Sequence, residues 1–286
     1  MPELPEVETV RRSLLPYLPG ARVQQVIIRH PKVVLTPLPL EGDRFSLLER
    51  HGKLLMLGLE SGRTLLVHLG MTGQLTYRDP RRDDRPFQRH PTTGLQRTLQ
   101  HEVDAHTHVS LDLEGGGALH YRDIRKFGKL RLADSAQRQA QLARMGPDPL
   151  TDAWKWERFL GQVKKTHRPI KAVLLDQAVA AGVGNIYADE ALFLAGIRPS
   201  SRSHRLGAAR LKKLFEAVPQ VLQQGIHYGG TTLSDYLDAE GNPGSNQEQL
   251  WAYGRYGQPC RRCGTTVERS TVAQRTSSWC PGCQRP

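Results

Sequence analysis

Gly182-Val183-Gly184-Asn185-Ile186-Tyr187-Ala188-Asp189-Glu190 lies between two stretches of helical periodicity, residues 169–181 and 186–195. The glycines permit a tight turn and a close backbone approach. Asn185 is placed to cap the following helix. A helix start presents unpaired N–H groups and partial positive charge, so this turn can hold a phosphate. By form it reads as a helix–turn–helix element facing a nucleic-acid backbone, or as an ordinary helix hairpin.

Helical patterns continue around it, at residues 154–163 and 208–225. Gly146-Pro147-Asp148-Pro149 marks a linker on the N-terminal side, after a helical stretch at 135–145. Before residue 133 the character is β. Residues 23–29 are rich in β-branched side chains. Residues 54–59 and 64–69 flank the turn Glu60-Ser61-Gly62-Arg63, and residues 109–113 and 118–121 flank Glu114-Gly115-Gly116-Gly117. Residues 129–132 form a further short strand, and residues 3–17 carry apolar positions at helical spacing. Residues 79–104, with five arginines and three prolines, read as a long surface loop or a partly disordered insertion.

On the other side of the turn lies Cys260-x2-Cys263-x16-Cys280-x2-Cys283. Two such knuckles can set four thiolates tetrahedrally around one Zn²⁺. With all four positions filled by protein, the ion is structural, and it supplies much of the folding free energy of so short a segment. The alternative, two disulfides, needs an oxidising compartment to which nothing in the sequence points.

The chain of 286 residues carries a net charge of +12, which favours a polyanionic partner. From residue 251 onward six arginines face a single acid, Glu268. A basic, cysteine-containing tail is a stronger nucleic-acid signal than the global charge. Mean hydropathy of −0.50 and the absence of a long apolar run argue against a membrane protein, and the acidic start lacks an export pattern. A cytoplasmic, nucleoid-associated monomer is expected.

The start itself is Met1-Pro2-Glu3-Leu4-Pro5-Glu6. It suits a helix N-terminus, with proline in the first turn and acids at the positive end. Removal of Met1 would also leave Pro2 as a secondary amine, able to attack an aldehyde-like carbon and form an iminium ion. Glu3 and Glu6 are near enough to donate or orient a proton.

Five motifs occur in order: Pro2 to Glu6, His68-Leu69-Gly70-Met71-Thr72-Gly73, Asp123-Ile124-Arg125-Lys126-Phe127-Gly128, Gly182 to Glu190, and the four-cysteine finger. Together they resemble the bacterial formamidopyrimidine-DNA glycosylases, which excise oxidised purines from duplex DNA and then cut the strand. The resemblance runs from Pro2 to Cys283. It implies a multidomain α+β chain: an N-terminal β-sandwich with an N-terminal helix, and a C-terminal helical helix-two-turn-helix domain with a zinc finger. The expected limits are 1–133 for the sandwich, 134–150 for a linker, 151–228 for the helical domain, 229–249 for a loop covering the lesion, and 250–286 for the finger.

The same resemblance implies roles. Pro2 attacks C1′ of the damaged nucleotide, Glu3 donates the proton that assists sugar opening, and Glu6 supports the site. Lys53 contacts phosphate and assists β-elimination; Arg275 holds phosphate and serves δ-elimination. Damaged double-stranded DNA is the partner, and a flipped-out base leaves a hole to fill. Met71 and Phe127 match the wedge residues, and Arg125 the group that bonds the orphaned base. Taken singly, Met71 and Phe127 read as core residues, but their glycine-flanked settings favour exposure. His68, Asn185 and Tyr187 belong to the matching motifs and are expected at the DNA interface. His106, Lys165 and Lys171 are expected to grip backbone or sugar. Cys260, Cys263, Cys280 and Cys283 hold the zinc.

Two departures stand out: Ile124 where proline is common in the family, and the length of the 79–104 insertion. Two other readings fit part of the pattern. An endonuclease VIII-like enzyme for oxidised pyrimidines shares the nucleophile and the finger. A non-catalytic zinc-containing DNA-binding protein shares charge and metal, but leaves Pro2 and Glu3 without purpose.

Overall fold

A computed structural model describes residues 2–80 and 103–286, with the backbone alone at 88–89 and 96–97. The loop expected over residues 79–104 lies mostly outside the described residues. Two compact units emerge: Met1–Ala143 with Tyr228–Gln247, and Arg144–His227 with Glu248–Pro286.

The first unit opens with α1 (Leu4–Leu14), shorter than the 3–17 stretch suggested by its apolar spacing. Pro5 falls in its first turn, where a missing N–H costs nothing. Two antiparallel four-stranded sheets follow. One has the order β1 (Val23–Ile28), β8 (Thr107–Leu113), β9 (Ala118–Asp123), β5 (Gly73–Arg78). The other has the order β10 (Lys129–Ala133), β4 (Thr64–His68), β3 (Leu54–Leu59), β2 (Phe45–His51). Later in the chain than β5, β6 (Gln88–Arg89) and β7 (Gln96–Arg97) pair with each other. Alternate residues supply the core: Val109, Leu111 and Leu113 of β8 meet Leu55 and Leu57 of β3 and Leu65 and Val67 of β4. Val7, Val10 and Leu14 of α1 close the same core. Both expected hairpins form, at β3–β4 and β8–β9.

The segment 228–247 packs onto this unit. Tyr236 and Ala239 join the sandwich core, Tyr77 N–H donates to the Ala239 carbonyl at 2.8 Å, and Ala239 N–H donates to Ser13 Oγ at 3.0 Å. Only a tip around Leu233 and Ser234 is exposed within residues 230–239.

The second unit contains α3 (Trp156–Lys164), α4 (Ile170–Leu174), α5 (Asn185–Leu194) and α6 (Ala208–His227), while α2 (Ser135–Ala143) belongs to the first. The helix expected over 169–181 is only α4. Gln177 replaces the rest with side-chain bonds: its Nε2 donates to the Leu175 and Val183 carbonyls, and its Oε1 accepts from Gly182 N–H. Those bonds satisfy the turn that presents Gly182 and Gly184. Trp154, Trp156, Phe159 and Phe215 pack together around α3 and α6. The finger adds the hairpin β11 (Glu268–Val272) and β12 (Arg275–Trp279). No described helix is long and apolar enough to cross a membrane.

Candidate active site and nucleic-acid interface

At the head of α1, Pro2 and Glu3 are buried. Glu6, one turn on, is 1% exposed, and each of its carboxylate oxygens has a job. Oε2 accepts Glu3 N–H at 2.7 Å and Oε1 accepts Thr231 N–H at 2.7 Å. Tyr236 completes the brace: its hydroxyl lies 3.2 Å from the Glu6 carbonyl and 3.1 Å from that of Gly229. Burial, with Glu6 and Asp238 nearby, drives the Tyr236 phenol far above its ordinary value, so it remains a proton donor. Gly230 has no room for a side chain, because a Cβ there would sit 2.8 Å from Tyr236 Cε1 and 3.0 Å from Glu6 Cγ. The first residues are thus fixed by the 228–247 segment, where a free terminus would ordinarily fray. The brace by Thr231 and Tyr236 is not visible in the sequence, since it spans more than 220 positions.

Lys53 follows Gly52 (φ +57°) in the turn between β2 and β3, and is buried. His68 ends β4 opposite Leu54. Its Nδ1 accepts Gly70 N–H at 3.1 Å, which puts the proton of the neutral ring on Nε2. Desolvation and then the Lys53 charge push the imidazole below its ordinary value. The structure therefore brings Lys53 and His68 together.

It also joins the loop bearing Met71 to the loop bearing Arg125 and Phe127. Asp123 is fully buried. Its Oδ1 accepts Thr72 Oγ1 at 2.6 Å and Arg125 N–H at 3.2 Å; its Oδ2 accepts Gly128 N–H at 2.8 Å and the Tyr121 hydroxyl at 3.1 Å. Burial opposes ionisation of Asp123, but these bonds outweigh it and hold the carboxyl below its usual range. Gly70 and Gly128 let the loops touch: a Cβ on Gly70 would stand 2.5 Å from Gly128 N. Met71 is left half-buried, and Arg125 and Phe127 are exposed, the guanidinium 4.7 Å from the ring centroid. Motif spacing does not single out Asp123 and Thr72, although both stand inside the quoted motifs. His106 is half-buried beside them, its carbonyl accepting Asp123 N–H at 3.0 Å.

In the second unit, Gly184 rather than Asn185 caps α5. Asn185 is the first helical residue, and its Nδ2 donates to the Thr276 carbonyl at 3.0 Å. The same carbonyl accepts Lys171 Nζ at 3.0 Å. Lys171 is wholly buried, bonding Ser277 Oγ at 2.7 Å and Asp189 Oδ1 at 2.7 Å. A side chain so placed cannot reach a DNA backbone, which corrects the expected grip. Tyr187 needs the same correction: it is 1% exposed, with its ring packed under Gly225, where a Cβ would lie 2.4 Å from the hydroxyl. Burial pushes Asp189 up to about 7, against the pull of Lys171 and of Ser278 N–H. Its neighbour Glu190 accepts three backbone N–H groups, from Trp251, Ala252 and Tyr253, at 2.8–2.9 Å.

These bonds fasten the finger to α5. At its hairpin tip Ala273 (φ +52°) and Gln274 (φ +59°) form the two-residue turn whose twist suits paired strands, although neither is glycine. Arg275 follows directly and is exposed. Lys165 is also exposed, on the loop after α3. The four cysteine sulfurs lie within 4.8 Å of one another, with Cys260 to Cys283 at 3.9 Å and Cys263 to Cys280 at 3.4 Å. Zinc–sulfur bonds of about 2.3 Å in a tetrahedron require sulfurs about 3.8 Å apart, so the cage fits the ion.

The model of the formamidopyrimidine-DNA glycosylase N-terminal domain matches residues 1–130, that of the H2TH domain residues 145–236, and that of the zinc finger found in FPG and IleRS residues 257–286. The four cysteines of that finger hold one structural zinc ion. The formamidopyrimidine-DNA glycosylase of Herpetosiphon aurantiacus is 43% identical over 99% of this chain and 100% of its own. That of Desulfitobacterium hafniense is 40% identical, again over 99% and 100%. Among solved structures, the MutM (Fpg) protein of Thermus thermophilus superposes with a TM-score of 0.84 at 40% identity, covering 99% of this chain and 98% of that one. A Lactococcus lactis FPG mutant in complex with Fapy-dG-containing DNA gives 0.87 at 31% identity, with both chains covered completely. With the sandwich, the glycine turn and the cysteine cage all lying within matched segments, this chain belongs to the formamidopyrimidine-DNA glycosylase family.

Proposed function

We propose that this DNA repair glycosylase excises 8-oxoguanine and formamidopyrimidines from duplex DNA through Pro2, freed by removal of Met1, and then breaks the strand on both sides of the sugar. The Pro2 nitrogen attacks C1′ as the C1′–N bond to the base breaks, the base taking up the proton that the amine loses, and the nitrogen lone pair then expels the ring oxygen from C1′, which takes a proton from Glu3. The resulting iminium draws electrons from C2′. Loss of a 2′ proton expels the 3′ phosphate, with Lys53 at the phosphate; loss of a 4′ proton then expels the 5′ phosphate, with Arg275 holding it. Glu6 orients the first turn. Met71 and Phe127 fill the space of the extruded base and Arg125 bonds its orphaned partner, while the exposed tip of the 229–249 loop covers the base itself. Asn185, His68 and His106 line the path of the strand. The zinc ion takes no part in bond breaking; it gives the hairpin bearing Arg275 its shape. Such an enzyme works in the cytoplasm, at the nucleoid.

The observation that carries this reading is the pair of hydrogen bonds that Glu6 accepts from Glu3 N–H and Thr231 N–H, which builds the start of the chain into a buried, ordered position. The bond to Glu3 N–H is part of a helix capping box that any helix start can have, but the bond to Thr231, 225 positions away, supplies positioning of the kind a catalytic amine needs. Comparing excision of 8-oxoguanine and thymine glycol from matched duplexes tests the substrate. Faster release of 8-oxoguanine is expected; preference for thymine glycol would place the enzyme with the pyrimidine-specific relatives.

A further inference from the structure

In the second unit, the loop leaving α3 and the loop before α6 are knotted together. Ile170 N–H donates to the Ser201 carbonyl at 2.8 Å and Ser203 N–H to that of Arg168 at 3.1 Å. Ser203 Oγ bonds the Thr166 carbonyl at 2.6 Å, Arg202 Nη1 the His167 carbonyl at 3.0 Å, and Lys164 Nζ the carbonyls of His204 and Leu206 at 3.0 and 2.6 Å. Lys164 and Arg202 are therefore held by neutral carbonyls, not by carboxylates. Residues 164–168 and 202–205 contain Lys164, Lys165, His167, Arg168, Arg202, His204 and Arg205, and no acid. Asp176, bonded to Arg168 at 2.9 Å, is the one acid paired with them among the described residues. Lys164, Lys165, His167, Arg168, Arg202 and Arg205 are all exposed.

The two imidazoles report the local field. Their ring centroids are 4.1 Å apart, and His204 Nδ1 is buried without a hydrogen-bond partner. Desolvation, then His167, Arg205, Arg202 and Lys164, push the His204 imidazole below its ordinary value. A surface of this kind, rigid in its backbone and unneutralised in its side chains, matches a phosphodiester backbone.

We propose that this knot is a second DNA-backbone surface, engaging duplex on one flank of the lesion rather than the lesion itself. It rests on the reading above only in taking duplex DNA as the ligand. Its distance from Arg275 sets which part of the duplex it meets. Lys171 stands three residues after Arg168 and bonds the Thr276 carbonyl at 3.0 Å. Three Cα steps of about 3.8 Å, the reach of a lysine, that bond and the step from the Thr276 carbonyl back to Arg275 put Arg168 no more than about 27 Å from Arg275. At about 3.4 Å per base pair the knot lies within about eight pairs of DNA from Arg275. A duplex that ends short of the knot leaves it unused.

The test is equilibrium binding of the full-length zinc-loaded protein to duplexes with a central tetrahydrofuran abasic analogue, of about 11 and about 31 base pairs. The wild type should bind the longer duplex about 10-fold more tightly, with a salt slope steeper by about two, as two or three added phosphate contacts require. Arg202→Glu with Arg205→Glu should abolish both gains, and Arg202→Gln with Arg205→Gln should reduce them. Zinc content and binding to the short duplex report that each variant is folded. An unchanged length gain in the charge-reversed protein, or none in the wild type, would show a solvated face and overturn the proposal. An equal loss on both duplexes would overturn it too, placing the knot at the lesion. Failure of lesion excision leaves this binding ratio measurable, so the two readings fail separately.

Discussion

Lys171 Nζ meets Asp189 Oδ1 at 2.7 Å with neither side chain exposed, and through Thr276 and Ser277 the pair ties α5 to the strand that begins with Arg275. Two buried charges are expensive to assemble, and breaking one such pair leaves the other stranded. Lys171→Met should therefore cost about 3–5 kcal/mol in chemical denaturation, and adding Asp189→Leu should restore most of it. A single variant as stable as the wild type would mean that the pair is not ionised.

Glu8 supports the other end of the chain. It is 6% exposed and bonds Arg11 at 2.8 Å, Arg12 at 2.7 Å and Arg50 at 3.1 Å. Burial opposes its ionisation, but the bonds from Arg11 and Arg12 and the charges of Arg11 and Arg50 hold the carboxyl at about 2, below its ordinary 4.5. A depressed acid stabilises the fold above its unfolded value and loses that contribution as pH falls through the folded one. With allowance for solvent around Arg12, the contribution is about 2 kcal/mol. Tm of the wild type should fall between about pH 4.5 and pH 2, and Glu8→Gln should flatten that part of the profile. An identical acid limb in both proteins would remove Glu8 from the account.

Gly230 (φ +87°) faces Tyr236 and Glu6 with no space for a methyl group. Gly230→Ala should shift Glu6 and with it Glu3 N–H. A displacement of about 1 Å at a reacting group costs about 100-fold in rate. Single-turnover excision should drop by about that factor while affinity for an abasic-site analogue changes little. A wild-type rate would disconnect the brace from the chemistry.

Cys260→Ser, or removal of zinc by chelation, should unfold the finger, because the ion supplies its folding free energy. Zinc content should fall to zero and duplex affinity by about 10-fold or more, since Arg275 loses its hairpin. Metal-free protein with unchanged DNA affinity would show that the finger is dispensable for binding.

The sandwich was partly legible in the sequence. Its hairpins announce themselves through Gly62, Gly115 and Gly116, all at positive φ, between runs of alternating character. The strands Phe45–His51 and Gly73–Arg78 were not foreseen, and each has a reason. In the first, a register shift between Phe45 and Leu48 breaks the period of two. In the second, Leu75 is accompanied by the buried polar residues Gln74 and Thr76, which hide an apolar face. Strand order was out of reach, because β5 pairs with β9 and β4 with β10 across long loops. The site divides similarly. Motif spacing picks out the four cysteines that the structure gathers into one cage. It misjudges Lys171 and Tyr187, whose polar side chains look available until Asp189 and Gly225 are seen beside them.

The proposed nucleophile is the Pro2 nitrogen. Borohydride reduction of the enzyme on an 8-oxoguanine duplex, followed by peptide mapping of the cross-link by mass spectrometry, tests it directly. The expected result is a stable adduct carried by Pro2 in protein that lacks Met1, and none in protein that retains it. An adduct on Lys53 or any other lysine, or turnover by protein that retains Met1, would contradict it.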